Sequence, residues 1–144
     1  MSDDDEIPQS EEAWRARLTP EQYEVLRRGG TEPPFTGRYW NEKRRGIYLC
    51  AGCRTPLFRS EAKYDSGSGW PSFFEALDPA AIATRRDTSH GMIRTEILCA
   101  RCGGHLGHRF DDGPPPTGVR HCVNSAALVF VPEEDAGDGN ARGA

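Results

Sequence analysis

The chain has 144 residues, 36% of them hydrophobic and 28% charged, which suits one soluble domain and leaves no room for two. Its 18 Lys+Arg against 22 Asp+Glu give a formal charge of −4, so no global basic field favours nucleic acid or an anionic membrane. The longest uninterrupted apolar run, Ala126 to Val131, is far short of the roughly 18 residues that span a bilayer.

The opening Met1-Ser2-Asp3-Asp4-Asp5-Glu6 is acidic where export and organelle signals are basic, so a cytoplasmic location is expected. Residues 1–12 are polar and acidic, and 133–144 are rich in Gly, Ala and Asp without periodicity. Both are expected to be mobile tails flanking a domain over 13–132. At the first boundary a short helix over Glu11 to Arg17 would carry Trp14. Thr19-Pro20-Glu21-Gln22 then combines a Thr cap, a Pro at the first helical position and a Gln at the third, ahead of Tyr23, Val25 and Leu26. Gly29-Gly30 should end that helix.

From Thr31 onward turn residues are dense and apolar runs short: Ile47-Tyr48-Leu49, Ala81-Ile82-Ala83 and Met92 to Leu98. This pattern predicts small antiparallel strands. Ile93, Thr95 and Ile97 alternate with Arg94 and Glu96, so one face should pack and the other be solvated. Pro33-Pro34, Asp65 to Gly69 and Asp112 to Gly118 have the composition of loops.

Four of the five cysteines form two Cys-x-x-Cys pairs, Cys50/Cys53 and Cys99/Cys102, separated by the 45 residues from Arg54 to Leu98. Each pair follows an expected strand and puts two sulfurs on a tight turn, and two such turns complete a tetrahedral site. Four thiolates suit zinc and leave no open position, so one structural Zn2+ per chain is expected. Iron fits the same geometry, and a redox dithiol or free buried thiols would account for either pair taken alone. A small hydrophilic β domain also benefits from such a staple.

The fifth cysteine lies in Gly118-Val119-Arg120-His121-Cys122-Val123-Asn124. In a strand, the period of two sends Arg120, Cys122 and Asn124 to one face and Val119, His121 and Val123 to the other. A cation beside a thiol favours the thiolate, and an amide can orient a polar ligand, as an activated nucleophile requires. A small buried core cysteine is the alternative. Upstream, Gly104-His105-Leu106-Gly107-His108-Arg109-Phe110 would return through the loop as a hairpin, bringing His105 and His108 near the thiol as proton donors. The register does not follow from the residues, so which histidine is closer stays open. His90 and His121 are expected to be structural or solvated. In Ser66-Gly67-Ser68-Gly69-Trp70-Pro71-Ser72-Phe73, glycines flank a Trp-Pro step that could present the indole as an apolar wall, although most tryptophans are core residues.

Together these stretches, with Leu18-Thr19-Pro20-Glu21-Gln22-Tyr23, Gly30-Thr31-Glu32-Pro33-Pro34-Phe35 and Asp111-Asp112-Gly113-Pro114, resemble the B-type methionine-R-sulfoxide reductases from about Leu18 to Pro132. The resemblance implies a mainly β, tent-like fold: two small antiparallel sheets, short N-terminal helices and a zinc site distal to the chemistry. It implies protein repair after oxidative damage. Cys122 would attack methionine-R-sulfoxide in proteins or peptides to form a sulfenic acid, with His105 and His108 assisting protonation, Arg120 and Asn124 positioning the S–O group and Trp70 packing against the ε-methyl. Two departures stand out. His121 occupies a position that is commonly Tyr, which should alter packing rather than activity, and Ser68 occupies the bend where many members carry a resolving cysteine. With the other four thiols on metal, recycling would fall to an external thiol, a small molecule or a thioredoxin-like or glutaredoxin-like partner. Other classes compatible with the pattern are a zinc-stabilised β-tent binding module, in which Cys122 is structural, and a zinc-ribbon nucleic-acid binder, which the acidic balance disfavours.

Overall fold

A computed structural model describes residues 7–8 and 10–133. Two helices come first, α1 (Glu11–Arg17) and α2 (Pro20–Arg28), and local chemistry sets their ends. The Ser10 side chain accepts from the Ala13 amide to cap α1. Thr19 and Gln22 form the expected capping box of α2, and Gly29 closes it with φ 73°, a left-handed conformation that costs glycine no Cβ clash. The helix expected over Glu11 to Arg17 forms with those bounds, so Glu11 and Glu12 belong to it and not to the mobile tail assigned from composition; the rest of that expected tail, apart from Ile7, Pro8 and Ser10, and residues 134–144 lie outside the described residues.

The strands are β1 (Gly46–Cys50), β2 (Pro56–Arg59), β3 (Lys63–Tyr64), β4 (Ser72–Phe73), β5 (Ile82–Asp87), β6 (Arg94–Cys99), β7 (His105–Phe110), β8 (Arg120–Val123) and β9 (Leu128–Pro132). They form a three-stranded sheet, β2-β1-β9, and a six-stranded sheet, β3-β4-β8-β7-β6-β5, with every pairing antiparallel. The fold is thus mainly β with two short helices, as expected. The apolar run after Cys122 is split by a 3-10 turn, Ser125–Ala127, that hands the chain from one sheet to the other.

Aromatic packing joins the layers. Phe58 of β2 stacks on Phe73 of β4 with ring centroids 4.3 Å apart, and Tyr48 of β1 meets the same Phe73 edge-on at 5.1 Å. Burying such rings contributes on the order of 1.5–3 kcal/mol each. The helices cover the cysteine turns. Trp14 packs over Gly52, Leu26 against Gly104, and Arg17 and Arg27 donate to the carbonyls of Gly52 and Cys102 at 2.8 and 3.1 Å.

One expectation fails instructively on β6. Ile93, assigned to the packed face, lies just outside the strand and is 71% exposed, whereas Glu96, assigned to solvent, is only 8% exposed. The charged face of β6 is covered because it faces the candidate site.

Candidate active site

Register alone builds a row of polar residues across the larger sheet. Tyr64 pairs with Ser72, Ser72 with Cys122, Cys122 with His108, His108 with Glu96, and Glu96 with Arg85. Directly paired residues share a face, so all six strands contribute to one surface. The other face is apolar at the centre, where Phe73 and Val123 are fully buried and His121 sits 5.6 Å from the Phe58 ring. Arg120 and Cys122 are thereby separated from His121, as the alternation implied.

The second histidine reaches this face through an irregularity. Two residues three apart in a regular strand point to opposite sides. Here Ile97 pairs with Gly107 but Leu98 with His105, so Leu106 is an extra residue that resets the alternation. The rings of His105 and His108 consequently stand 5.6 Å apart. Only His108 borders the cavity of about 310 Å3 that also takes in Ser68, Trp70, Arg120, Cys122 and Asn124.

Each histidine has its own carboxylate. His108 Nε2 is 2.7 Å from Asp87 Oδ2, and Asp87 also accepts from the Ser89 amide and hydroxyl at 2.9 and 2.7 Å. The Ser89 and His108 bonds hold the Asp87 carboxyl well below the usual carboxylate range. His105 Nδ1 is 2.6 Å from Glu96 Oε2, and Arg85 meets the other carboxylate oxygen, Oε1, at 2.9 Å. Burial nevertheless lowers the His105 pKa, favouring the neutral ring despite Glu96. Asp87, Glu96 and Arg94, which also borders the cavity, were not singled out as site residues by sequence reasoning. The signal was the Arg94-x-Glu96 alternation, read as a solvated face.

Cys122 departs from expectation in the same direction. Arg120 and the Ser68 hydroxyl both lower its pKa, but burial outweighs them and the thiol is raised overall. Arg120 is also shared: Asp112 accepts from its Nε and Nη2 at 2.9 and 3.2 Å, and its guanidinium lies 4.4 Å from the Phe110 ring centroid. The resting form is therefore the thiol, with a cation beside it to stabilise developing negative charge.

Asn124 and Trp70 are both tied to Glu32. The Glu32 amide donates to Asn124 Oδ1 at 3.0 Å, and the Glu32 carbonyl accepts from Trp70 Nε1 at 2.9 Å. Asn124 Nδ2 donates to the Leu106 carbonyl at 3.1 Å, which fixes the amide's orientation.

The remaining cysteines converge elsewhere. The sulfurs of Cys50, Cys53, Cys99 and Cys102 all lie within 4.8 Å of one another, with 3.7 Å between Cys50 and Cys102 and 3.5 Å between Cys53 and Cys99. A tetrahedron of sulfurs about 2.3 Å from one ion has edges of about 3.8 Å, so the donor set and spacing fit a metal ion, while disulfides would need about 2.05 Å. The cluster is at the Cys99 end of β6 and the cavity at its Arg94 end, roughly 17 Å apart at about 3.3 Å per residue. No helix among the described residues is long and apolar enough to cross a membrane.

A thiol in a cavity beside a histidine–aspartate pair and an arginine, on a β scaffold with a remote four-sulfur cluster that could hold a metal ion, defines a thiol site on an antiparallel sheet. Residues 18–132 match the SelR domain model, and the chain belongs to that family. It is 58% identical over 126 residues to the peptide methionine sulfoxide reductase MsrB of Agrobacterium fabrum, covering 88% of this chain and 93% of the relative. The MsrB of Thiobacillus denitrificans is 58% identical over 134 residues, 93% of this chain and 100% of the relative. The corresponding protein of Synechococcus sp. is 59% identical over 127 residues, with 88% and 93% covered.

Proposed function

We propose that this chain is an oxidoreductase that repairs oxidised proteins by reducing methionine-R-sulfoxide in proteins or peptides through thiol chemistry at Cys122. The carrying observation is that Cys122 shares one cavity with His108, Arg120, Asn124 and Trp70, in a family whose curated relatives are named peptide methionine sulfoxide reductases. The R epimer is the one that the family resemblance implies, each sulfoxide epimer having its own reductase.

The substrate methyl rests against the Trp70 ring, and the S–O group turns toward His108, Asn124 and Arg120. As the Cys122 sulfur attacks the sulfoxide sulfur, its proton passes to the oxygen, directly or through His108. The S–S bond formed by the attack then breaks as the oxygen moves from the substrate sulfur to the Cys122 sulfur, and the products are Cys122 sulfenic acid and methionine. His108 is the better relay: Asp87 engages its Nε2 and would stabilise the imidazolium, leaving Nδ1 for the proton. His105 is held by Glu96 and supports the ring of His108 from behind. Two external thiols, or a thioredoxin-like or glutaredoxin-like dithiol, return the sulfenic acid to thiol, giving one disulfide and one water.

Cys50, Cys53, Cys99 and Cys102 would hold Zn2+. Four thiolates close its coordination shell, so the ion supplies folding energy and no catalytic step.

The test is reduction of N-acetyl-methionine-R-sulfoxide by dithiothreitol. Wild type should turn over the R epimer and ignore the S epimer, and Cys122→Ser should be inactive with unchanged metal content. Equal use of the two epimers, or an active Cys122→Ser enzyme, would overturn the reading; a wholly inactive wild type would leave a metal-stapled binding module.

A further inference from the structure

Two of the groups assigned to substrate, Trp70 and Asn124, come from different parts of the fold: Asn124 is held on one side by the Leu106 carbonyl of β7, whereas Trp70 lies outside every strand. Trp70 follows the glycine-rich bend before β4, and Asn124 lies just beyond β8 at the entry to the 3-10 turn. One residue ties them together. The Glu32 carbonyl accepts the Trp70 indole N–H at 2.9 Å, and its amide donates to Asn124 Oδ1 at 3.0 Å. Both carboxylate oxygens are used as well, Oε2 accepting from the Ser125 amide at 2.8 Å and Oε1 from the Ala126 amide at 2.9 Å.

The side chain is what holds the backbone there. Residues 31–35 belong to no helix or strand, so no sheet ladder secures them. A backbone bond from the Phe35 amide to the Gly69 carbonyl at 2.7 Å also ties the segment, and it lands on the bend that carries Trp70. Charge-assisted bonds from a carboxylate to two amides are about twice as strong as neutral ones. The carboxylate therefore anchors the segment to the 3-10 turn, and the segment's backbone fixes the indole and the amide. Thr31, the preceding residue, borders the cavity itself.

We propose that Glu32 is a positioning residue for substrate affinity: its carboxylate sets the separation and tilt of the Trp70 wall and the Asn124 amide without touching substrate. The proposal rests on the reductase reading above. It separates binding from chemistry, because Cys122, Arg120 and His108 are held by β8, β7 and their own carboxylates, none of them through Glu32.

The test measures kcat and KM for N-acetyl-methionine-R-sulfoxide in wild type, Glu32→Gln and Glu32→Ala. Glu32→Ala should raise KM about tenfold, the size expected when hydrogen bonds to a charged group are lost, with kcat within about twofold. Glu32→Gln retains one acceptor and should fall between. Metal content and the rate of Cys122 alkylation in the free enzyme should match wild type. An unchanged KM in Glu32→Ala, or a fall in kcat alone, overturns the proposal; if Glu32→Ala does not fold, Glu32→Gln decides by the same KM readout. Wild type lacking turnover would instead refute the reductase reading, so the two failures are distinguishable.

Discussion

The two ends of β6 give one residue type opposite fates. At the Cys99 end four sulfurs meet on tight turns, packed under α1 and α2 and hydrogen-bonded around by the carbonyl-seeking side chains of Arg17, Arg27 and Arg101. At the Arg94 end a single sulfur stands mid-strand in a row of hydroxyl, imidazole and carboxylate groups, open to a cavity. The chemistry open to a cysteine follows from what its neighbours can do: other thiols can complete a metal site, whereas a cation and an oriented imidazole favour a nucleophile.

That contrast is broken most severely at the sulfur cluster. Cys50→Ser or Cys102→Ser should lose metal, fold and activity together, because ligand binding and folding are linked. Metal analysis with far-UV circular dichroism checks this, and a folded, active, metal-free variant would contradict it. The next largest effect is at the imidazole. His108→Asn should lower kcat by about 100-fold, within the range of a general acid, while leaving the metal bound. Asp87→Asn should give a smaller loss, because the ring remains but its orientation and imidazolium stabilisation weaken. Retention of full kcat in His108→Asn would move the proton transfer elsewhere.

Much of this was legible in the residues. The caps of α2, the cysteine pairs and the face shared by Arg120 and Cys122 follow from local chemistry with periods of 3.6 and 2. The choice between His105 and His108 did not, because it depends on one extra residue in β7 opposite Ile97 and Leu98, which no pattern in that stretch announces. Glu96 and Asp87 were hidden for a related reason. Alternating charge and apolarity looks the same whether the charged face meets water or a row of partners supplied by β5 and β7. Glu32 is a long-range case, bonding to residues more than 90 positions away.

A smaller effect sharpens the electrostatic side of the comparison. Because burial raises the Cys122 thiol, the midpoint of its alkylation pH profile should lie above that of an ordinary cysteine. Arg120→Met removes a group that favours the thiolate and should move the midpoint further up. Asp112→Asn should move it down, since Asp112 opposes the thiolate and partly neutralises Arg120. Shifts of the same sign in both variants would mean that the pair acts through packing rather than charge.

The smallest expected effect on basal turnover, and the most specific readout, comes from Ser68. It borders the same cavity as Cys122, and its hydroxyl accepts from Ser66 at 2.8 Å in a bend that also reaches Ser72, the cross-strand partner of Cys122. With four thiols committed to the cluster, the wild-type chain has no second thiol near Cys122. One turnover without reductant should therefore leave Cys122 as a sulfenic acid, trapped by dimedone and free of internal disulfide by mass spectrometry. Ser68→Cys should convert that species to a disulfide with Cys122, which requires the two Cβ atoms to come within about 4.5 Å. Dithiothreitol-driven turnover should change little, because an external thiol can reduce either the sulfenic acid or the disulfide. A wild-type disulfide between Cys122 and any cluster cysteine would refute the separation of the two ends. Failure of Ser68→Cys to crosslink would mean that the bend, pinned by the Trp70 bond to Glu32, cannot close on the nucleophile, and releasing that pin with Glu32→Ala should then allow the crosslink to form.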